Sequence, residues 1–240
     1  MTRLLVSLLA LAIPLRLAAT ELKPVSYPQL PDAAASLAGF TPPGWSLEYE
    51  ARGELDGDDI DDAVLVLRMR DPANVVANAG LGLERFDTNP RILAVVLGRD
   101  DGGYRLALQD HALIPRPDSP VMDDYLDGPE AITITSRRAF TVELYLWASA
   151  GTWSTSRTRF TFRLQDRCFR VIGYDHLHVH RGSATLDDLS VNYPAGRVKR
   201  SHESPETPRR EHWSDFTRGP GPCLVDVGNG FEFDPGVPAP

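Results

Sequence analysis

The chain has 240 residues, with 25 Lys plus Arg against 33 Asp plus Glu, a formal net charge of -8, 42% apolar residues, 20 Pro, 19 Gly and two Cys. That length supports one domain with a sizeable core. The composition excludes a disordered chain, a collagen-like repeat and a disulfide-dense scaffold, and the acidic balance excludes a basic nucleic-acid binder.

Residues 1–19 run from Arg3 through Leu4, Leu5, Val6, Leu8, Leu9, Leu11 and Ile13 to Ala18 and Ala19. A charged start, a short apolar stretch and small residues at the end form the pattern of a secretory signal peptide, cleaved near Ala19. The stretch is short for a membrane span, and Pro14 and Arg16 cut into its end; a short N-terminal anchor is the other reading. A periplasmic or secreted location is therefore expected, with no membrane span in the mature chain. Residues 20–44 form an entry segment with a short helix around Asp32 to Leu37, ended by Pro42, Pro43 and Gly44.

From Trp45 onward period-2 alternation dominates. Strands are expected at Trp45–Leu55, Ala63–Met69, Arg91–Gly98, Tyr104–Asp110, Ala131–Ser136, Phe140–Ala148, Ser156–Gln165, Cys168–His178, Leu186–Asn192 and Arg197–His202. Short connections at 100–103, 136–138, 165–167 and 194–196 force antiparallel hairpins. The fold class read from this pattern is mainly β: an antiparallel meander or sandwich-like sheet of about ten short strands with a minor N-terminal helix. Residues 45–202 form this β domain, and residues 203–240 read as a Pro/Gly-rich tail with little regular structure. In an oxidising compartment Cys168 and Cys223 are expected to pair and staple that tail to the body; a buried Cys168 with a free Cys223 is the alternative.

Between the first two strands, residues 54–62 hold six carboxylates. Glu54, Asp56, Asp58 and Asp62, with the main-chain oxygen of Ile60, supply an all-oxygen shell of the kind calcium prefers, and Gly57 permits the turn between them. Zinc would want Cys or His, which the loop lacks. An EF-hand is excluded because Leu65 stands where a bidentate Glu is needed and no helices flank the loop. The other reading is an acidic, solvated turn that keeps a strand edge from aggregating.

Glu54-Leu-Asp56-Gly-Asp58-x-x-Asp61-Asp62 before an apolar strand resembles the calcium loop of FG-GAP/VCBS repeats. The chain as a whole looks like small exported bacterial proteins of unknown function that carry a single such loop. Trp45, the strand 92–97, the run 158–175 and Leu189–Gly196 carry that likeness, over roughly residues 40–200. The resemblance implies calcium at Glu54, Asp56, Asp58, Ile60 and Asp62. One loop does not make a full propeller.

His176, His178 and His180 alternate along one strand and share a face at intervals of about 6.5 Å, so they form a second candidate for a metal or a pH-sensitive face. Trp147, Ser149, Gly151 and Trp153 form a turn suited either to stacking on a ligand or to a hairpin with half-buried indoles. No nucleophile elbow, phosphate loop, dinucleotide fingerprint or H-E-x-x-H motif is present. The expected function is thus a non-enzymatic calcium-binding module with an unknown protein or glycan partner in the bacterial envelope, and not nucleic acid. The alternatives are a secreted hydrolase acting on polysaccharide or peptide through acids such as Asp118, Asp123 or Asp124, and a structural envelope component.

Overall fold

The computed structural model describes residues 22–217 and 219–238; the expected signal peptide lies outside them. In chain order the strands are β1 (Ala33–Ala34), β2 (Trp45–Gly53), β3 (Asp62–Met69), β4 (Val75–Ala77), β5 (Arg85–Asp87), β6 (Arg91–Gly98), β7 (Tyr104–Asp110), β8 (Ile132–Thr135), β9 (Ala139–Leu146), β10 (Ser154–Gln165), β11 (Cys168–His180), β12 (Thr185–Asn192), β13 (Arg197–Ser204) and β14 (Thr207–Asp215). They form a five-stranded sheet ordered β1-β7-β6-β3-β2, a seven-stranded meander running in sequence order from β8 to β14, and the small pair β4-β5. Every pairing is antiparallel. All ten expected strands are present, and the architecture is mainly β.

β3 and β6 are unbroken apolar runs because both their faces are buried. Val64, Val66, Leu93, Val95 and Leu97 face one cluster with Phe140, Val142, Leu144, Phe160 and Phe162 of the seven-stranded sheet. Ala63, Leu65, Leu67, Ile92, Ala94 and Val96 face the opposite way, against Leu30, Leu37 and Phe40 of the entry segment. That cover explains why the segment is not the helix expected at Asp32 to Leu37. Ala33 and Ala34 pair with Arg105 and Tyr104, the Leu106 amide donates to the Asp32 carbonyl (2.7 Å), and only a 3-10 turn, Leu37–Phe40, follows. A segment laid across a sheet gains more from strand pairing and two buried anchors than from a single helical turn.

The hairpin between β10 and β11 turns on Asp166 and Arg167, both with positive φ (50° and 62°), as a two-residue turn of primed type needs. The seven-stranded sheet extends further than the sequence pattern indicated. Thr207–Asp215, expected in the irregular tail, pairs with β13 as the edge strand β14. Its residues are almost all exposed and carry no alternation of burial, so the apolar signal was absent; Pro208 is tolerated because an edge strand has one unpaired side.

The remaining tail packs onto the body as a strap. Cys168 and Cys223 form a disulfide with a Cα separation of 5.8 Å, and the Val171 amide donates to the Pro222 carbonyl (3.0 Å). Leu224 is buried, Phe233 lies edge-on to Phe160, and the Tyr193 hydroxyl donates to the Pro235 carbonyl. Gly230 sits so close to the body that a Cβ there would lie 2.8 Å from the Leu113 carbonyl oxygen, so only glycine fits. No helix among the described residues is long and apolar enough to cross a membrane.

Candidate metal centre

The acidic loop leaves β2 at Gly53, which pairs with Asp62 at the start of β3. Two apolar side chains pin it: Leu55 is buried in the main core, and Ile60 lies against Gly98 at the end of β6. Asp62 completes the attachment. It is 1% exposed, its Oδ2 accepts from the Leu55 amide (2.7 Å) and its Oδ1 from the Gly98 amide (2.8 Å). Burial pushes its carboxyl up to about 6 against the opposing pull of those two amides.

With the loop ends held, three acids converge. Glu54, Asp56 and Asp58 each place a carboxylate oxygen so that all lie within 4.8 Å of one another, a group able to hold a metal ion. Their local bonds shape the turn: Glu54 accepts from the amides of Gly57 and Asp59, and Asp58 Oδ1 accepts from the Ile60 amide (2.9 Å). Gly57 has φ +100°, and the Arg138 guanidinium lies directly over it.

Asp56 has a carboxylate oxygen to spare. Its Oδ1 is shielded from solvent and has no hydrogen-bond partner among the described residues, while Oδ2 meets Arg105 Nη2 at 3.4 Å. Burial, then the Asp58 charge, pushes the Asp56 carboxyl above its ordinary value. Three carboxylates with one starved oxygen make an all-oxygen site suited to a hard cation; Cys and His, which zinc favours, are missing from it.

Of the four carboxylates expected as ligands the fold gathers Glu54, Asp56 and Asp58. Asp62 lies outside that group, and each of its oxygens accepts from a backbone amide, one of them on β6. Ile60 contributes its amide to Asp58 and its side chain to packing. Asp59 and Asp61 are exposed.

The raised carboxyl of Asp62 gives a pH prediction. Its folded value of about 6 lies above the ordinary 3.8, so between these limits the folded chain holds a proton that the unfolded chain releases. With divalent ions chelated, this component of stability grows as pH falls through that window; the lowered value of half-buried His176 acts in the opposite direction. Urea unfolding of wild type and Asp62→Asn across the window isolates it. A wild-type curve with no more gain toward acid than the variant's refutes the assignment.

The three histidines of β11 share one face but do not gather. His176 Nδ1 lies 2.9 Å from Thr158 Oγ1, His178 Nδ1 lies 3.9 Å from Asp187 Oδ2, and His180 Nδ1 lies 2.8 Å from Ser183 Oγ. Their face is the inner one, continuous with buried Phe160 and Tyr174, and not an outer polar surface. Burial lowers the His176 pKa, with His178 adding to it. Sequence spacing missed the closest acid partner of this region: His202 on β13 holds Asp187 at 2.7 Å, a contact that only the strand register creates.

The acids considered for hydrolysis are dispersed. Asp118 accepts from the Tyr125 hydroxyl (3.1 Å), and Asp123 is exposed with its amide bonded to the Trp147 carbonyl. Asp124 joins Glu48 around the buried Arg91, with distances of 2.7 Å from Asp124 and 2.6 Å from Glu48, and Arg68 beside them. Burial raises the Asp124 carboxyl, but the Arg91 bond and charge outweigh it and hold the net value below the ordinary range. In the tryptophan turn the Arg181 guanidinium stacks over Trp147 at 4.9 Å and donates to the Ala148, Thr152 and Trp153 carbonyls, leaving Trp153 66% exposed. No family model matches this chain, and no curated protein or solved structure is significantly similar to it.

Proposed function

We propose that this chain is an exported, non-enzymatic β protein whose acidic loop binds calcium in the manner of an FG-GAP/VCBS-like loop, and that the ion stiffens a module that binds a protein or glycan in the bacterial envelope. The observation that carries the calcium reading is Asp56: a solvent-shielded carboxylate oxygen without a partner, beside two further carboxylates. Calcium favours oxygen donors in flexible geometry and tolerates water as part of its shell. Glu54, Asp56 and Asp58 would hold the ion, and its charge would offset their mutual repulsion. A disulfide and a loop tied to both β2 and β6 fit a chain built to persist in an oxidising compartment. The hydrolase reading has less support, because Asp124 is engaged by two arginines.

The test is thermal unfolding with millimolar calcium and with chelator. A ligand present at 100 times its Kd adds about 2.7 kcal/mol to the native state. For a chain of this size that corresponds to a rise of roughly 5 to 10 °C in Tm. Asp56→Asn should abolish the calcium response while leaving the chelated midpoint near that of wild type. Identical wild-type midpoints in calcium and in chelator would sink the calcium reading.

A further inference from the structure

Beyond Tyr174, Val191 and Val198, all buried, the inner face of the seven-stranded sheet emerges from the core. Strand register there sets two cross-strand rows side by side. One runs His178, Asp187, His202, Arg210; the next runs His176, Leu189, Arg200, His212. They line a groove of about 440 Å³, within the range of small-molecule sites. Four of the six histidines of the chain and two arginines meet in it.

Asp187 is occupied by His202, with His178 at 3.9 Å. Asp188 and Glu211 also border the groove, and Arg209 and Lys199 take them up: Asp188 at 3.0 and 3.8 Å, Glu211 at 3.6 and 3.9 Å. Arg200 and Arg210 therefore have no carboxylate within ion-pair distance among the described residues. Arg200 donates to the Pro238 carbonyl and keeps its other N–H groups; Arg210 is exposed. The two occupy diagonal positions on β13 and β14, with backbones about 7 to 8 Å apart. Two guanidinium groups without a carboxylate partner, on neighbouring strands of a chain of net charge -8, complement an oxyanion, which such groups bind with paired N–H donors.

We propose that this groove binds a small organic anion, its phosphate, sulfate or carboxylate group held by Arg200 and Arg210 and its body set against the imidazole walls and Leu189. The site lies on the seven-stranded sheet, stands apart from the acidic loop and does not depend on calcium.

The test titrates the full-length chain calorimetrically near neutral pH with sodium sulfate and, separately, with succinate. Saturable binding is expected, weakened at least about tenfold in Arg200→Gln plus Arg210→Gln. Arg210→Gln alone, at an exposed position, must weaken it in the same direction with an unchanged unfolding midpoint. Preference between the two probes tells a tetrahedral ester from a carboxylate source, and either supports the site. Absence of saturable binding by both probes into the tens of millimolar overturns the proposal, as does sulfate affinity indifferent to the arginines.

Discussion

Removing the disulfide by Cys168→Ala plus Cys223→Ala is expected to lower the unfolding free energy by about 4 kcal/mol, the loop-closure entropy returned to the unfolded chain when a cross-link across 55 residues is lost. The native side adds to this. The bond anchors the strap at the start of β11, and downstream of it Leu224, Phe231 and Phe233 pack against the main core. Without the anchor those contacts must hold the strap alone, so residues 219–238 should exchange their amide hydrogens well before β9 and β10. Urea unfolding of the oxidised and double-alanine proteins measures the loss, and hydrogen exchange locates it. A difference below about 1 kcal/mol would mean that the cross-link adds little loop-closure entropy and that native packing holds the strap.

The second large effect is centred on Arg91, 1% exposed and ion-paired to Glu48 and Asp124. Glu48→Ala removes two bonds to this guanidinium, at 2.6 and 2.9 Å, and leaves a buried cation with Asp124 alone. Since Arg91 Nη1 already lacks a partner, the site has no spare acceptor among the described residues. A loss of about 3 kcal/mol is expected. Arg91→Met should cost less, because Glu48 and Asp124 both keep Arg68 (2.9 and 3.3 Å) and the methionine fills part of the vacated volume. Chemical denaturation of both variants tests the asymmetry; equal losses, or a greater loss for Arg91→Met, would show that packing rather than uncompensated charge governs the site.

The acidic side of the same cluster explains why Asp124 is a poor candidate for acid catalysis. A general acid needs a raised pKa, and here the Arg91 pairing holds the carboxyl ionised. Stability from this pair is present above the ordinary carboxylate value and is lost as pH falls through the lower folded one, opposite in sign to Asp62.

The amino-acid sequence by itself determined the ten main strands, their hairpin order and the antiparallel sheet, because alternation at a period of two and short turn-rich connections are local properties of the chain. It also placed three carboxylates near enough to converge, since Glu54, Asp56 and Asp58 lie within a single turn. The lone pairing option of two cysteines was legible in the same way. Tertiary structure decided the rest. Ala33–Ala34 became a strand because the edge of β7 was open to it, and Thr207–Asp215 became one because β13 offered an edge to residues with no apolar pattern. Asp62 accepts from the Gly98 amide, a donor 36 residues away that no local spacing announces. His202, Arg200, Arg210 and His212 joined the β11 histidines only through the register of four strands. The physical division is one of range: periodicity and turn chemistry act between neighbours in sequence, whereas pairing of buried polar groups and open sheet edges is satisfied by whichever partner the folded chain brings within reach.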